Sequence, residues 1–215
     1  MRNLLYTATA LGFAVFGGAA HATLDYTVWN GVMPGEHSAQ PPVPTTTPLA
    51  TFTSTSPINF VNNGPDTPDG SDNLFSEFFT APVLAECNAA NAACGGTVMS
   101  STDNTSDIST FIRITGLTGT GGGTITINHD DGGTVFEGAT QICGNPAEAA
   151  DNSQTCTIPG VGSQALTIFY TEDNGAPSIL QVSGSVSTVP EPASLALLGV
   201  GLLGIGFVAN RKRSV

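Results

Sequence analysis

The residues of this chain best suited to chemistry are two adjacent carboxylates, Asp130 and Asp131, in the stretch ITINHDDGGTVFEG. An alternating segment rich in Ile and Thr precedes them, and Gly132 and Gly133 follow directly. Adjacent acids repel one another, so their position at an apparent strand end needs a reason. The sequence leaves three reasons open: a solvated turn, an acid/base pair, or a metal site, for which Ca²⁺ would accept such oxygen ligands.

Other signatures of enzymes are missing from the sequence. It contains three histidines, no Gly-x-Ser-x-Gly elbow and no His-Glu-x-x-His motif, so nothing marks a nucleophile beside a base. A glycosidase pair would need two of the many carboxylates, but the sequence singles out none. His129 fits a strand end better than a ligand or base. The oxygen-rich stretch at 66–73 lacks the EF-hand register and is typical of a solvated turn. We therefore predict that the protein is not an enzyme.

The first 22 residues have the build of a secretory signal peptide. A short basic start leads into an apolar run at 8–20, and Ala20-His21-Ala22 forms a small-x-small cleavage site. A first transmembrane helix is the alternative, although the run is short and wrongly flanked for a stable anchor. We predict export, with residues 1–22 removed.

The C-terminal residues 189–215 form a second targeting element. A Pro-Glu-Pro motif leads into 17 largely apolar residues at 193–209, and a basic cluster follows. As a helix this run would span roughly 25 Å, close to the ~30 Å of a bilayer core. By itself the pattern predicts a transmembrane helix with the basic end in the cytoplasm. The two polar motifs are Pro190-Glu191-Pro192 and Arg211-Lys212-Arg213.

This order of parts resembles the PEP-CTERM sorting signal of Gram-negative bacteria. The resemblance implies that an exosortase-type transpeptidase recognises the tail, which tethers the chain to the inner membrane transiently and is processed near the Pro-Glu-Pro motif. The mature protein would then reach the cell surface or the extracellular matrix. Other removable C-terminal signals also combine a polar motif with an apolar tail. A permanent anchor is the alternative.

Between the two targeting elements the chain is strongly acidic. Residues 23–189 hold 16 of the 17 acidic residues and a single Lys or Arg, Arg113. Such a surface repels phosphate backbones and anionic lipids, so we predict no nucleic-acid partner. The same surface supplies carboxylates for divalent cations.

The four cysteines agree with export into an oxidising compartment. No Cys-x-x-Cys pair exists, which argues against zinc-ribbon and thioredoxin-type sites. We predict two local disulfides, Cys87–Cys94 and Cys143–Cys156, one of three connectivities that four cysteines allow. Free thiols are the alternative.

We predict that residues 23–188 form one all-β domain, an antiparallel, lectin-like β-sandwich. Short segments rich in Thr, Ile, Val and Phe alternate in polarity and end at Gly, Asn, Asp or Pro. Residues 83–94 fit either a helical turn or a loop closed by a disulfide, and the Pro-rich segment 39–48 fits an edge or a connector. The predicted strands are 49–54, 58–61, 109–115, 123–128, 133–138, 165–170 and 178–186.

The surroundings of the aspartate pair resemble the protective-antigen-like (PA-fourteen) β-sandwich family. The resemblance rests on a strand, Asp-Asp-Gly and a second strand, followed by ALTIFYTEDNGAPSILQVSG at 165–184. It implies that Asp130 and Asp131 are joined by a cis peptide and bind Ca²⁺, which in turn binds sugar hydroxyls. It also implies a further ligand from the second loop, with Asn174 the first choice and Asp173 the next.

Aromatic platforms for a sugar ring are less well marked. Phe136 and Tyr170 are the candidates, with a place in the sandwich core as the alternative. The second loop departs from a stacking site because it contains Pro177 and no tryptophan, and Trp29 lies near the mature N-terminus.

Together these features predict an exported surface or matrix protein that binds extracellular polysaccharide. The sharper hypothesis is Ca²⁺-dependent recognition, with the ion held by Asp130 and Asp131 and the site completed by Asn174. A structural biofilm component without a defined ligand is the first alternative. A secreted hydrolase is the second.

Overall fold

The computed structural model describes residues 23–31, 38–64, 73–100, 108–147 and 149–188. The predicted signal peptide and sorting tail lie outside the described residues, as does most of the oxygen-rich stretch at 66–73. Within the described part, no helix is both long and apolar enough to cross a membrane.

Strands dominate the described chain, and two short helices lie between the third and fourth strands. The elements are β1 (Leu24–Gly31), β2 (Ala50–Ser54), β3 (Asn59–Asn62), α1 (Phe75–Phe78), α2 (Ala81–Ala90), β4 (Ser109–Thr120), β5 (Thr124–Asp130), β6 (Gly132–Glu137), β7 (Thr140–Asn145), β8 (Asn152–Thr157), β9 (Ser163–Glu172), β10 (Ser178–Gly184) and β11 (Val186–Thr188).

The strands form two antiparallel sheets. The larger sheet has the order β2-β1-β4-β9-β6-β7, with β11 added against β4, and the smaller sheet has the order β3-β10-β5-β8. A single hydrophobic core lies between them, to which both sheets contribute. The predicted all-β antiparallel sandwich is therefore confirmed.

Alternation along the strands builds this core. Ile112 and Ile114 of β4 and Ile125 and Ile127 of β5 all belong to this core, and all four are 0% exposed. Burial of each such side chain contributes roughly 1.5–3 kcal/mol to folding. Each of the predicted strands is present in the structure, with ends shifted by a few residues.

The larger sheet is covered on both faces. Its outer face carries an aromatic cluster that includes Trp29, Phe136 and Phe169. The Pro-rich segment at 38–48 crosses this cluster: the Trp29 indole donates to the carbonyl of Thr46 at 3.0 Å, and Thr134 Oγ1 donates to the carbonyl of Ala39. The predicted connector is thus a strap over a second, smaller core.

Both predicted disulfides are confirmed, and no described cysteine is free. Cys87 lies in α2 and is joined to Cys94 in a following 3₁₀ turn, so residues 83–94 are mainly helical. Cys143 of β7 is joined to Cys156 of β8. Because β7 and β8 are the last strands of different sheets, this bond ties the two layers together at one side.

Replacing Cys143 and Cys156 together by serine should lower the free energy of unfolding by about 2–4 kcal/mol, because the unfolded chain regains the freedom of the closed loop. Urea unfolding of the oxidised protein, followed by circular dichroism, measures this change. An unchanged midpoint would show that the bond does not stabilise the packing of the two sheets.

Candidate functional site

The aspartate pair lies where the chain passes from one sheet to the other. β5 of the smaller sheet ends at Asp130, and β6 of the larger sheet begins at Gly132. β6 pairs with β7 and β9, so the two strands around the pair do not form a hairpin. The Asp130–Asp131 peptide bond is cis, as the family resemblance implies. We call residues 130–133 the corner.

The two glycines of the corner are required for space. A Cβ atom on Gly132 would lie 2.7 Å from Thr171 Cγ2 and 2.8 Å from the carbonyl oxygen of Pro146. A Cβ atom on Gly133 would lie 2.5 Å from the Cβ of His129. Only glycine therefore lets β6 start this close to its neighbours.

Both aspartates are buried, so the solvated-turn interpretation of the pair is wrong. Asp130 is 5% exposed and Asp131 is 2% exposed. Asp130 Oδ2 accepts a hydrogen bond from the backbone N–H of Asp151 at 3.2 Å. Burial raises the pKa of Asp130, and this N–H partly opposes the rise.

The second loop, residues 173–177 between β9 and β10, packs directly on Asp131. The backbone N–H groups of Asp173 and Asn174 donate to Asp131 Oδ2 at 2.8 and 3.3 Å. Asp173 is partly buried, and Asn174 is exposed. The fold thus brings the backbone of Asp173 and Asn174 into contact with the carboxylate of Asp131, which lies more than 40 residues earlier in the sequence.

The one basic side chain of Lys or Arg type among the described residues lies away from the aspartate pair. Arg113 is the only such residue there. Its guanidinium donates to Thr27 Oγ1 at 3.2 Å and lies 5.7 Å from the centre of the Trp29 ring. It therefore belongs to the outer face of the larger sheet.

Each backbone carbonyl of the aspartate pair has its own buried donor. The Tyr170 hydroxyl donates to the carbonyl of Asp130 at 2.6 Å. His129 Nδ1 lies 2.8 Å from the carbonyl of Asp131, which can only accept, so Nδ1 carries the proton. Burial lowers the pKa of His129 and favours this neutral form.

A third carboxyl group, Glu172, lies beneath the second loop. It is 0% exposed, and burial together with the nearby charge of Asp131 raises its pKa well above the usual range. Glu172 Oε2 lies 2.6 Å from the Tyr170 hydroxyl. That hydroxyl has one proton, so both of its short contacts are hydrogen bonds only when Glu172 is protonated and donates to it.

The two predicted aromatic platforms are wrong. Tyr170 is 0% exposed, stacks on Phe78 at 5.4 Å between ring centres, and uses its hydroxyl within the protein. Phe136 is 7% exposed and packs edge-on against Phe169 beneath the strap. Neither ring offers a face to a sugar, because each fills one of the two cores.

Sequence reasoning missed the polar residues behind the corner. Glu172, Ser100 and Asn73 form a buried network, with Ser100 Oγ donating to Glu172 Oε1 at 3.1 Å and Asn73 Nδ2 donating to Ser100 Oγ at 2.7 Å. The three residues come from separate parts of the chain, so no local motif could reveal them. Among the described residues, no group of three or more His, Cys, Asp and Glu side chains is arranged to hold a metal ion.

Replacing Tyr170 by phenylalanine should lower the free energy of unfolding by about 1–3 kcal/mol, because it removes the buried hydrogen bonds of the hydroxyl to the Asp130 carbonyl and to Glu172 Oε2. Tyr26 is the matched control. It is also 0% exposed, but its hydroxyl has no hydrogen-bond partner among the described residues. Tyr26→Phe should therefore leave the urea midpoint unchanged or raise it. Equal effects of the two substitutions would contradict the role given to the Tyr170 hydroxyl.

Comparison with known proteins supports the assignments of the tail and of the fold. Residues 188–213 match the model of the PEP-CTERM protein-sorting motif. No curated protein matches the chain at a significant level.

Among solved structures, the chain is similar to a PA14 sugar-binding domain from an RTX adhesin, with a TM-score of 0.52 and 15% identity. The match covers 79% of this chain and 99% of the adhesin domain. An epithelial adhesin A domain from Candida glabrata, solved with β-lactose, gives a TM-score of 0.42 and 9% identity over 76% of this chain and 80% of that one, which is too distant to carry an argument. The chain therefore carries a PEP-CTERM sorting motif, and its described body has the PA14 fold.

Proposed function

We propose that this is an exported carbohydrate-binding protein whose binding site is the corner, with Ca²⁺ as the link between Asp130, Asp131 and sugar hydroxyls. The observation that carries this proposal is the burial of both carboxylates at the point where the second loop packs on Asp131. Buried carboxylates are costly unless they are protonated, hydrogen-bonded or paired with a cation such as a metal ion.

The oxygen groups at the corner suit calcium. Ca²⁺ takes six to eight oxygen ligands, which include carboxylates, amide and backbone carbonyls, and water. Asp130 and Asp131 would supply carboxylates, and Asn174 or Asp173 would supply a ligand from the second loop. The remaining positions would belong to water, to backbone carbonyls or to vicinal hydroxyls of a sugar. When bound, the ion supplies direct coordination of those hydroxyls.

The burial of the aromatic residues limits how a glycan could bind. Eleven aromatic side chains fall within 23–188, and none is more than 8% exposed. Stacking of a sugar on a ring is therefore not available in this domain, and a glycan would have to be held through polar groups. The adhesin domain of the same fold is described as sugar-binding, which agrees with this proposal.

The sorting motif defines where such binding would occur. An exosortase-type transpeptidase would process the tail after transient insertion in the inner membrane of a Gram-negative cell, and the protein would reach the cell surface or the extracellular matrix. Its ligand there would be an extracellular polysaccharide. A structural biofilm component without a ligand is the second candidate, and the burial of Phe136 and Tyr170 favours it.

Calorimetric titration of the mature, oxidised protein with Ca²⁺ tests the ion site. We expect binding at or below millimolar concentration, typical of extracellular sites. Asp130→Asn combined with Asp131→Asn should abolish the heat and the retention of the protein on exopolysaccharide. Asp25→Asn, which changes an exposed acid of β1, is the control and should leave both unchanged. If titration of the unchanged protein with Ca²⁺ releases no heat, the structural role without a ligand remains as the candidate function.

Mass spectrometry of the protein recovered from the cell surface tests the sorting proposal. We expect a mature chain that begins near Thr23 and has lost the residues after the Pro-Glu-Pro motif. A variant with Pro190, Glu191 and Pro192 replaced by alanine should remain in the membrane fraction with its tail intact. A surface protein that retains Arg211-Lys212-Arg213 would refute the proposal.

A further inference from the structure

Three consecutive backbone N–H groups hold the start of the second loop. Those of Asp173 and Asn174 donate to Asp131 Oδ2, and that of Gly175 donates to Ser100 Oγ at 2.9 Å. In a loop on a protein surface, such backbone N–H groups ordinarily donate hydrogen bonds to water. Here two side chains from distant parts of the chain, Asp131 and Ser100, define where the loop runs.

The hydroxyl of Ser100 is fully used in this arrangement. It accepts from Asn73 Nδ2 and from the N–H of Gly175, and it donates to Glu172 Oε1. A hydroxyl has one proton and two lone pairs, so these three bonds satisfy it completely. Because the Ser100 hydroxyl donates its proton to Glu172, its two lone pairs point at Asn73 Nδ2 and at the N–H of Gly175. The bond to Glu172 thus fixes the direction of the bond to Gly175.

Glu172 also connects this network to the corner. Its Oε2 atom contacts the Tyr170 hydroxyl at 2.6 Å, and that hydroxyl donates to the carbonyl of Asp130 at 2.6 Å. Glu172, Ser100 and Tyr170 are each 0% exposed. The corner and the second loop are thus fixed to one buried group of side chains, in addition to their direct contact through Asp131.

We propose that Ser100, oriented by Glu172, is a positioning residue that holds the 173–175 segment at a set distance from Asp130 and Asp131. The inference rests on the proposed function, because it explains how that same ion site is ordered before the ion binds. A cation that needs both the carboxylates and oxygens of the second loop binds more tightly when the loop is already ordered.

Ser109 provides a matched control for Ser100. It is 2% exposed, and its hydroxyl has no hydrogen-bond partner among the described residues. Ser109→Ala therefore removes a buried hydroxyl of the same size without releasing the loop. Glu172→Gln is the conservative variant, because it keeps an acceptor for Ser100 and a donor for Tyr170.

Amide hydrogen exchange of the mature protein in EDTA tests the positioning role without any metal. In Ser100→Ala, the amides of residues 173–175 should exchange at least about tenfold faster than in the unchanged protein, while those of β4 and β9 keep their rates. Ser109→Ala and Glu172→Gln should leave the loop protected. An equal rise in the exchange rates of the loop and of the core strands would overturn the proposal, since Ser100 would then serve only the general stability of the fold. Unchanged exchange rates in the loop would also overturn it, since Ser100 would then not hold the loop.

Titration with Ca²⁺ forms the second arm. Ser100→Ala should weaken binding about tenfold, while Ser109→Ala and Glu172→Gln should match the unchanged protein. If the unchanged protein binds no Ca²⁺, the proposed ion site fails, and hydrogen exchange still decides whether Ser100 positions the loop. Loss of loop protection with full Ca²⁺ affinity would overturn the link between loop order and binding.

Discussion

The structure around the candidate site depends on one constraint: the chain crosses from the smaller sheet to the larger one within a single residue, Asp131. So short a passage buries the backbone of the aspartate pair, and each buried carbonyl must find a donor. Tyr170 and His129 provide these donors. Gly132 follows because no larger residue fits against the neighbouring strand. The identity of the surrounding residues thus follows from the path of the backbone.

The crossing also concentrates negative charge where water is scarce. Asp130, Asp131 and Glu172 are all buried at this end of the sandwich. Glu172 avoids the cost by staying protonated, as the two short contacts of the Tyr170 hydroxyl require. The aspartates also accept backbone N–H bonds, and the one to Asp130 only partly opposes the rise in pKa that burial causes. Glu172, which lies beneath the pair, is neutral and serves as support.

Sequence patterns predicted the parts of this structure that local order determines. Alternating strands, the two disulfides, the aspartate pair and the second loop were all readable. β1, β7 and β8 were not predicted. In β8 (NSQTCT) both faces are polar or partly exposed, and α2 was ambiguous because its alanines mark no apolar face. Ser100 and Asn73 could not be found, since their contacts with Glu172 span 72 and 99 residues. Phe136 was misassigned because alternation does not reveal that the larger sheet is covered on both faces, and Tyr170 because it lies in the core between the two sheets.

The strap at 38–48 buries the outer aromatic cluster. By covering Trp29, Phe136 and Phe169, it leaves none of these rings with an open face for stacking. Under the proposed function, a glycan ligand would be recognised through its hydroxyl groups, whose arrangement differs from one sugar to another. Coordination geometry at a cation discriminates such arrangements, because the positions of the oxygen ligands are fixed before the sugar arrives. Under the proposed function, the burial of the eleven aromatic side chains of residues 23–188 and the exposure of Asn174 beside a buried aspartate pair would separate the residues used for packing from those used for binding.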